Sequence, residues 1–155
     1  MIKSNKKVLS SMSSSATSNK KFPPNCLCPC GSNKKYKKCC KVYHDGIKPS
    51  KAVDLMKSRY TAYAICNSDY IVQTTHENNS DYTHDINTWK QSIEDFSKYS
   101  EFRSLEILDF IDGDSEAFVT FKANIFQDNK DVSFTEKSRF LKKNDKWYYV
   151  DGTFL

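Results

Sequence analysis

The chain has 155 residues, 38% of them hydrophobic and 14% aromatic, with a formal net charge of +5. This is enough for one ordinary core plus a small appendage. It excludes a membrane-inserted protein, because no run approaches the ~18 apolar residues a spanning helix needs. Residues 1–21 hold no apolar stretch of the secretory kind, so the sequence predicts a cytoplasmic protein.

Charge is divided unevenly. Residues 1–51 carry twelve lysines against a single acid, Asp45, while residues 52–155 carry twelve basic residues against eighteen acids. Opposite signs on two segments predict two units with different partners.

In chain order, residues 1–25 hold seven serines and five lysines and cannot bury enough surface to offset their ordering entropy, which predicts a disordered leader. Residues 26–46 form a cysteine-rich module, and residues 47–50 a linker in which Ser50 can cap the next helix. Residues 51–66 repeat apolar side chains at helical spacing (Val53, Met56, Tyr60, Tyr63). Ser68 and Asp69 open a short second helix. Residues 77–84 read as a polar loop, and residues 85–99 as a third helix with Ile86, Trp89, Ile93 and Phe96 on one side. The period then changes to two: strands are predicted over residues 105–111, 117–125, 132–142 and 146–151. Turns fall at Asp112-Gly113-Asp114, Asp128-Asn129-Lys130 and Asn144-Asp145, and Gly152 ends the last strand. Helices first and an antiparallel meander after give an α+β class.

The chemistry concentrates in Cys28-Pro29-Cys30-Gly31-Ser32-Asn33-Lys34-Lys35-Tyr36-Lys37-Lys38-Cys39-Cys40. Without an export signal, clustered cysteines point to a metal rather than disulfides. Four thiolates close a tetrahedral zinc site and leave no position for water, which argues for structural rather than catalytic zinc. The expected ligands are Cys28, Cys30, Cys39 and Cys40, the last two at the end of a short helix from Ser32. Cys26 in place of Cys28, or His44 in place of Cys40, stays open. A module with so little core draws its folding energy from the ion, so stripping the metal is expected to unfold residues 26–46 and leave the larger domain intact. Cys66, alone in a helical stretch, reads as a small buried apolar side chain.

That segment resembles the SEC-C motif, the zinc-binding tail of the preprotein translocase ATPase. Further on, Leu55-Met56-Lys57-Ser58-Arg59-Tyr60-Thr61-Ala62-Tyr63-Ala64, Asp69-Tyr70 and Thr74-Thr75-His76 are similar to the start of the YchJ family (UPF0225). Phe134-Thr135-Glu136-Lys137-Ser138-Arg139-Phe140 and Trp147-Tyr148-Tyr149-Val150-Asp151-Gly152 are similar to its closing hairpin. Asn33, where the motif usually has Gly, and Thr75, where Trp is expected, depart from the pattern. The resemblance covers about residues 26–152. It implies an NTF2-like cone over residues 47–155, with helices packed on a curved antiparallel sheet around a pocket.

In the translocase the motif implies binding to an acidic export chaperone and contact with ribosomes. Carried over, Lys34, Lys35, Lys37 and Lys38 around Tyr36 form a docking knob for an acidic protein partner or the ribosome; the alternative is a solvated charge run with Tyr36 tucked against the zinc loop. Nucleic acid is the weaker option, because only one aromatic interrupts the lysines. In the cone, Glu136 and Ser138 share strand parity with Phe134 and Phe140, which places a carboxylate on the apolar face. It needs a cation or donors there, and Arg59 is the expected partner. Arg59, Tyr60, Tyr63, His76 and Glu136 are then either pocket groups or, for the charged pair, an internal salt bridge. By fold analogy alone, such a pocket admits an isomerase- or hydratase-like activity.

Overall fold

The computed structural model describes residues 21–155. Residues 1–20, most of the expected leader, lie outside the described residues. The remainder of that leader is not loose: Phe22 stands edge-on to Tyr36 at 5.3 Å between centroids, and the carbonyls of Pro23 and Pro24 accept from the N–H groups of Cys26 and Lys37.

Four helices follow in order: α1 (Cys40–His44), α2 (Ala52–Ala64), α3 (Ser68–Gln73) and α4 (Ile86–Tyr99). Then come β1 (Glu101–Ile111), β2 (Glu116–Gln127), the two-residue β3 (Lys130–Asp131), β4 (Phe134–Lys143) and β5 (Lys146–Phe154). The sheet is antiparallel in the order β1-β2-β4-β5, with β3 paired to the end of β2. Its turns suit its hairpins. Asp128-Asn129 and Asn144-Asp145 all take positive φ, the left-handed pair a two-residue hairpin loop needs.

The inner face of the sheet follows the period-two pattern: Ala117, Val119, Phe121, Ala123 and Ile125 of β2 are fully buried. Phe140 of β4 and Trp147 and Tyr149 of β5 continue it. Helix α4 adds Trp89, Ile93 and Phe96 from one stripe. Asp85 caps it, its carboxylate accepting from Thr88 N–H at 3.3 Å.

Three expectations need correction. Ser50 does not cap α2: Lys51 holds the cap position without a side-chain bond, while the Ser50 carbonyl accepts from the Trp147 indole at 3.1 Å. Gly152 does not end β5, which runs on to Phe154. Its missing side chain serves a close approach instead, since a Cβ there would lie 2.5 Å from Glu136 Oε2. Helix α2 is not amphipathic but central. Leu55, Met56, Tyr60 and Ala62 are buried, and so are Ser58, Arg59 and Thr61. The sheet covers one side; the cysteine module and α3 cover the other.

That second cover bears on the expected independence of the two units. Cys28 Sγ lies 3.7 Å from Thr61 Oγ1, His44 donates to the Ser58 carbonyl at 2.8 Å, and the His44 ring packs on Tyr70 at 4.5 Å. Tyr43 reaches the main core, and Leu105 and Ile65 reach the cysteine cluster. The packing is continuous from module to sheet.

Candidate metal centre and its basic surround

The module begins as a knuckle. Leu27 and Lys35 pair as an isolated antiparallel bridge, and Cys28 N–H donates to Lys34 O at 2.8 Å. The turn between them needs left-handed backbone at Gly31 (φ 84°) and Asn33 (φ 62°), which glycine and asparagine supply at least cost. Asn33 therefore fills the role of the motif's glycine. The expected helix from Ser32 is absent. Instead a single 3-10 turn, Tyr36–Lys38, leads to Cys39, whose distorted backbone (φ −131°, ψ −116°) precedes Cys40 at the start of α1. The two adjacent cysteines thus sit at a helix entry, not a helix end.

This folding brings four sulfurs together. The Sγ atoms of Cys28, Cys30, Cys39 and Cys40 all lie within 4.8 Å of one another, the one such group among the described residues. Cys28, Cys30 and Cys40 are buried and Cys39 is half-buried. Crowded thiols cannot all ionise unaided. Hydrogen bonding from Cys30 holds the Cys28 thiol far below its usual value, whereas donating to Cys28 pushes Cys30 up to about 11 and drives Cys40 higher still. A cation at the centre removes this conflict, and the donor set can hold a metal ion. Ser32 Oγ at 3.1 Å from Cys39 Sγ and Thr61 Oγ1 beside Cys28 support the sulfurs from outside.

Neither alternative ligand joins the cluster. Cys26 is exposed, and its carbonyl accepts from Tyr36 N–H. His44 is engaged at both nitrogens, with Nδ1 2.6 Å from the Tyr36 hydroxyl and Nε2 2.8 Å from Ser58 O. Since a carbonyl can only accept, Nε2 carries the proton and Nδ1 accepts from the phenol. Burial lowers the His44 pKa, in keeping with that neutral form.

The lysines and the tyrosine of the proposed knob separate. Lys34, Lys35, Lys37 and Lys38 are exposed, but Tyr36 turns inward and is 6% exposed, between Phe22 and His44. It is a strut of the module and cannot stack on a partner. Tyr36→Phe leaves the part-buried Nδ1 of His44 without this donor, so it should cost about 0.5–1.5 kcal/mol, read as a lowered thermal midpoint with the fold retained.

The five expected pocket residues are also dispersed. Arg59 and Glu136 are 1% and 2% exposed but do not form the expected direct pair. Arg59 Nη1 donates to Ile71 O (3.1 Å), Thr74 Oγ1 (2.7 Å) and Thr75 Oγ1 (3.1 Å). Glu136 Oε2 accepts from the Ser138 hydroxyl and, at 3.4 Å, from that of Tyr149. Tyr149 stands between the charges, its ring 4.9 Å from the guanidinium carbon. Its place was readable in the alternation Trp147, Tyr149, which sequence reasoning left unused. Tyr60 is buried against Phe102. His76 is tied down, its N–H donating to Tyr149 O and its Nδ1 accepting from Asn78 N–H at 3.0 Å. Tyr63 alone of the five lines a cavity of about 330 Å³, which opens between α4 and the preceding loop rather than inside the sheet.

Comparison with known proteins agrees with this architecture. Residues 51–152 match the model described as YchJ, middle NTF2-like domain. The chain belongs to the YchJ family. Residues 25–41 match the SEC-C motif. A UPF0225 protein of Vibrio parahaemolyticus is 37% identical over 132 residues, covering 82% of this chain and 74% of its own. The UPF0225 protein YchJ of Shigella dysenteriae is 35% identical over 130 residues, covering 82% of each. Among solved structures, a SEC-C motif containing protein from Rhodopseudomonas palustris superposes with a TM-score of 0.70 at 29% identity, over 84% of this chain and 98% of that one. One from Psychrobacter arcticus gives 0.69 at 28%, over 83% and 82%. The family's NTF2-like sheet and helices are thus the α+β cone described above, with the cysteine cluster joined to its central helix.

Proposed function

We propose that this family member is a noncatalytic, zinc-stabilised adaptor whose basic module docks on an acidic protein partner or the ribosome. The observation that carries the reading is the division of the motif's side chains. Four lysines point to solvent while the aromatic between them is spent on internal packing. What is left outside is charge without a stacking surface. Such a face favours carboxylates and phosphates over bases, and its binding falls with salt.

Zinc is the ion we assign. A tetrahedral site with zinc–sulfur bonds of about 2.3 Å sets its sulfurs about 3.8 Å apart, and Cys30 and Cys39 already lie 3.5 Å apart. Reduced, ligand-ready thiols suit a cytoplasmic location, and no helix among the described residues is long and apolar enough to cross a membrane. The alternative, catalysis in the cone through Glu136 and Arg59, has less support. Both side chains are sealed from solvent, and their hydrogen bonds go to neighbouring protein groups.

The test is ribosome co-sedimentation and capture of host partners at low and high salt, with wild type and a Lys34/Lys35/Lys37/Lys38→Glu variant. Wild type should retain its partner at low salt. High salt and the variant should each weaken retention by about tenfold or more. Identical recovery by both proteins overturns the docking role.

A further inference from the structure

The cavity beside α4 belongs neither to the metal centre nor to the interior of the cone. Its walls are Tyr63 of α2, the loop residues Ser80, Asp81, Tyr82, Thr83 and Asp85, and Thr88, Trp89, Ser92 and Ile93 of α4. No sheet residue contributes. At about 330 Å³ it sits at the small end of the usual range for ligand sites.

Its chemistry is one-sided. Two carboxylates, Asp81 and Asp85, line it, and no lysine or arginine does. The nearby cations are engaged elsewhere: Lys90 pairs with Asp69 at 2.7 Å and Lys143 with Glu77 at 3.0 Å. Neither Asp81 nor Asp85 takes part in a salt bridge among the described residues. Of the other lining residues Tyr63, Tyr82 and Trp89 are aromatic, Ser80, Thr83, Thr88 and Ser92 carry hydroxyls, and Ile93 is aliphatic. Tyr82 and Trp89 meet nearly edge-to-face at 5.5 Å, and Tyr63 is braced by Phe96 at 5.9 Å. The loop is also held in place. Asn79 Nδ2 donates to Val150 O of β5 at 2.7 Å, and Asn79 Oδ1 accepts from Asp81 N–H at 2.8 Å. A site fixed before binding loses little to ordering.

We infer that this cleft binds a small organic cation, an alkylammonium or quaternary ammonium group seated against Tyr82 and Trp89 with its charge facing Asp81 and Asp85. Aromatic faces attract such cations, and more strongly where water is excluded. The carboxylates reject anions. A bare metal ion is a poorer fit, because the two acids lack the third ligand that would make a metal-binding group.

The experiment uses the full, metal-loaded chain in ¹H–¹⁵N spectra. The Trp89 indole signal, distinguished from that of Trp147 by Trp89→Phe, is followed against choline, n-butylammonium and the uncharged choline isostere 3,3-dimethylbutan-1-ol. Ionic strength is matched with sodium chloride. Either cation should shift Trp89 saturably and leave Trp147 in place, and the stronger of the two identifies the source as quaternary or primary amine. The neutral isostere should bind at least tenfold more weakly. Asp81→Asn, a change at an exposed loop position, should weaken cation binding several-fold. Asp81→Asn with Asp85→Asn should weaken it at least tenfold, since asparagine still caps α4. No Trp89 shift with either cation, equal binding of the isostere, or unchanged affinity in the double variant overturns the assignment.

Discussion

Replacing Cys40 by serine, or stripping the metal with a chelator, should lower the thermal midpoint of the entire chain by on the order of 10 °C, not merely loosen residues 26–46. Cys40 is 1% exposed at the entry to α1. The helix it starts carries Tyr43 and His44, which pack on the central core and on α2. Without the ion the four sulfurs lose the cation that reconciles them. The knuckle opens, and Ser58, Thr61 and Tyr70 lose the groups that cover them. Buried contacts of that extent are worth about 3–5 kcal/mol, and each kcal/mol moves the midpoint of a chain this size by about 2–4 °C. Circular dichroism melting with and without chelator, beside hydrogen exchange at α2, measures the effect. If α2 keeps full protection in the metal-free protein, the module is an independent appendage after all.

Gly152→Ala should be the most damaging single-methyl change in the sheet. The added Cβ would meet Glu136 Oε2 at 2.5 Å, Cδ at 2.6 Å and Cγ at 2.9 Å. Glu136 lies opposite Phe154 in the register, and Ser138 opposite Gly152, so the carboxylate leans across the strand pair. It has nowhere to retreat, being 2% exposed and held by Ser138 and Tyr149. Overpacking costs about 1–3 kcal/mol, and loss of the carboxylate's donors adds about 1–3 kcal/mol more. A double-mutant cycle isolates the cause. Glu136→Ala removes the obstructing atoms, so Gly152→Ala should cost little in that background. Additive losses would place the origin of the damage elsewhere than this contact.

What could be read from sequence alone depended on range. The grouping of the four cysteines was legible because they lie close in sequence, at a spacing that by itself suggests a metal site. The alternation over residues 117–125 was legible because half-buried strands repeat at two. Tyr36 was legible only as one of two readings, outward in the knob or tucked against the cysteine loop, since nothing in a run of lysines tells which side chain the 3-10 turn points inward. The burial of Ser58 and Thr61 was hidden for a different reason. A helix looks amphipathic until a second layer covers it, and here that layer is the cysteine module. Arg59 and Glu136 were rightly placed inside but wrongly joined. The residue between them, Tyr149, enters from β5 across a register shift between Arg139 and Phe140, and single-sequence periodicity does not locate such a shift.

The most direct test of the central claim is elemental analysis of the purified, reduced full-length protein beside its Cys40→Ser variant. One zinc ion per chain in the wild type, with most of it lost in the variant, is the predicted result. A wild-type protein that carries no stoichiometric metal, or a variant that holds its zinc as firmly as the parent, contradicts the four-cysteine centre and the adaptor built on it.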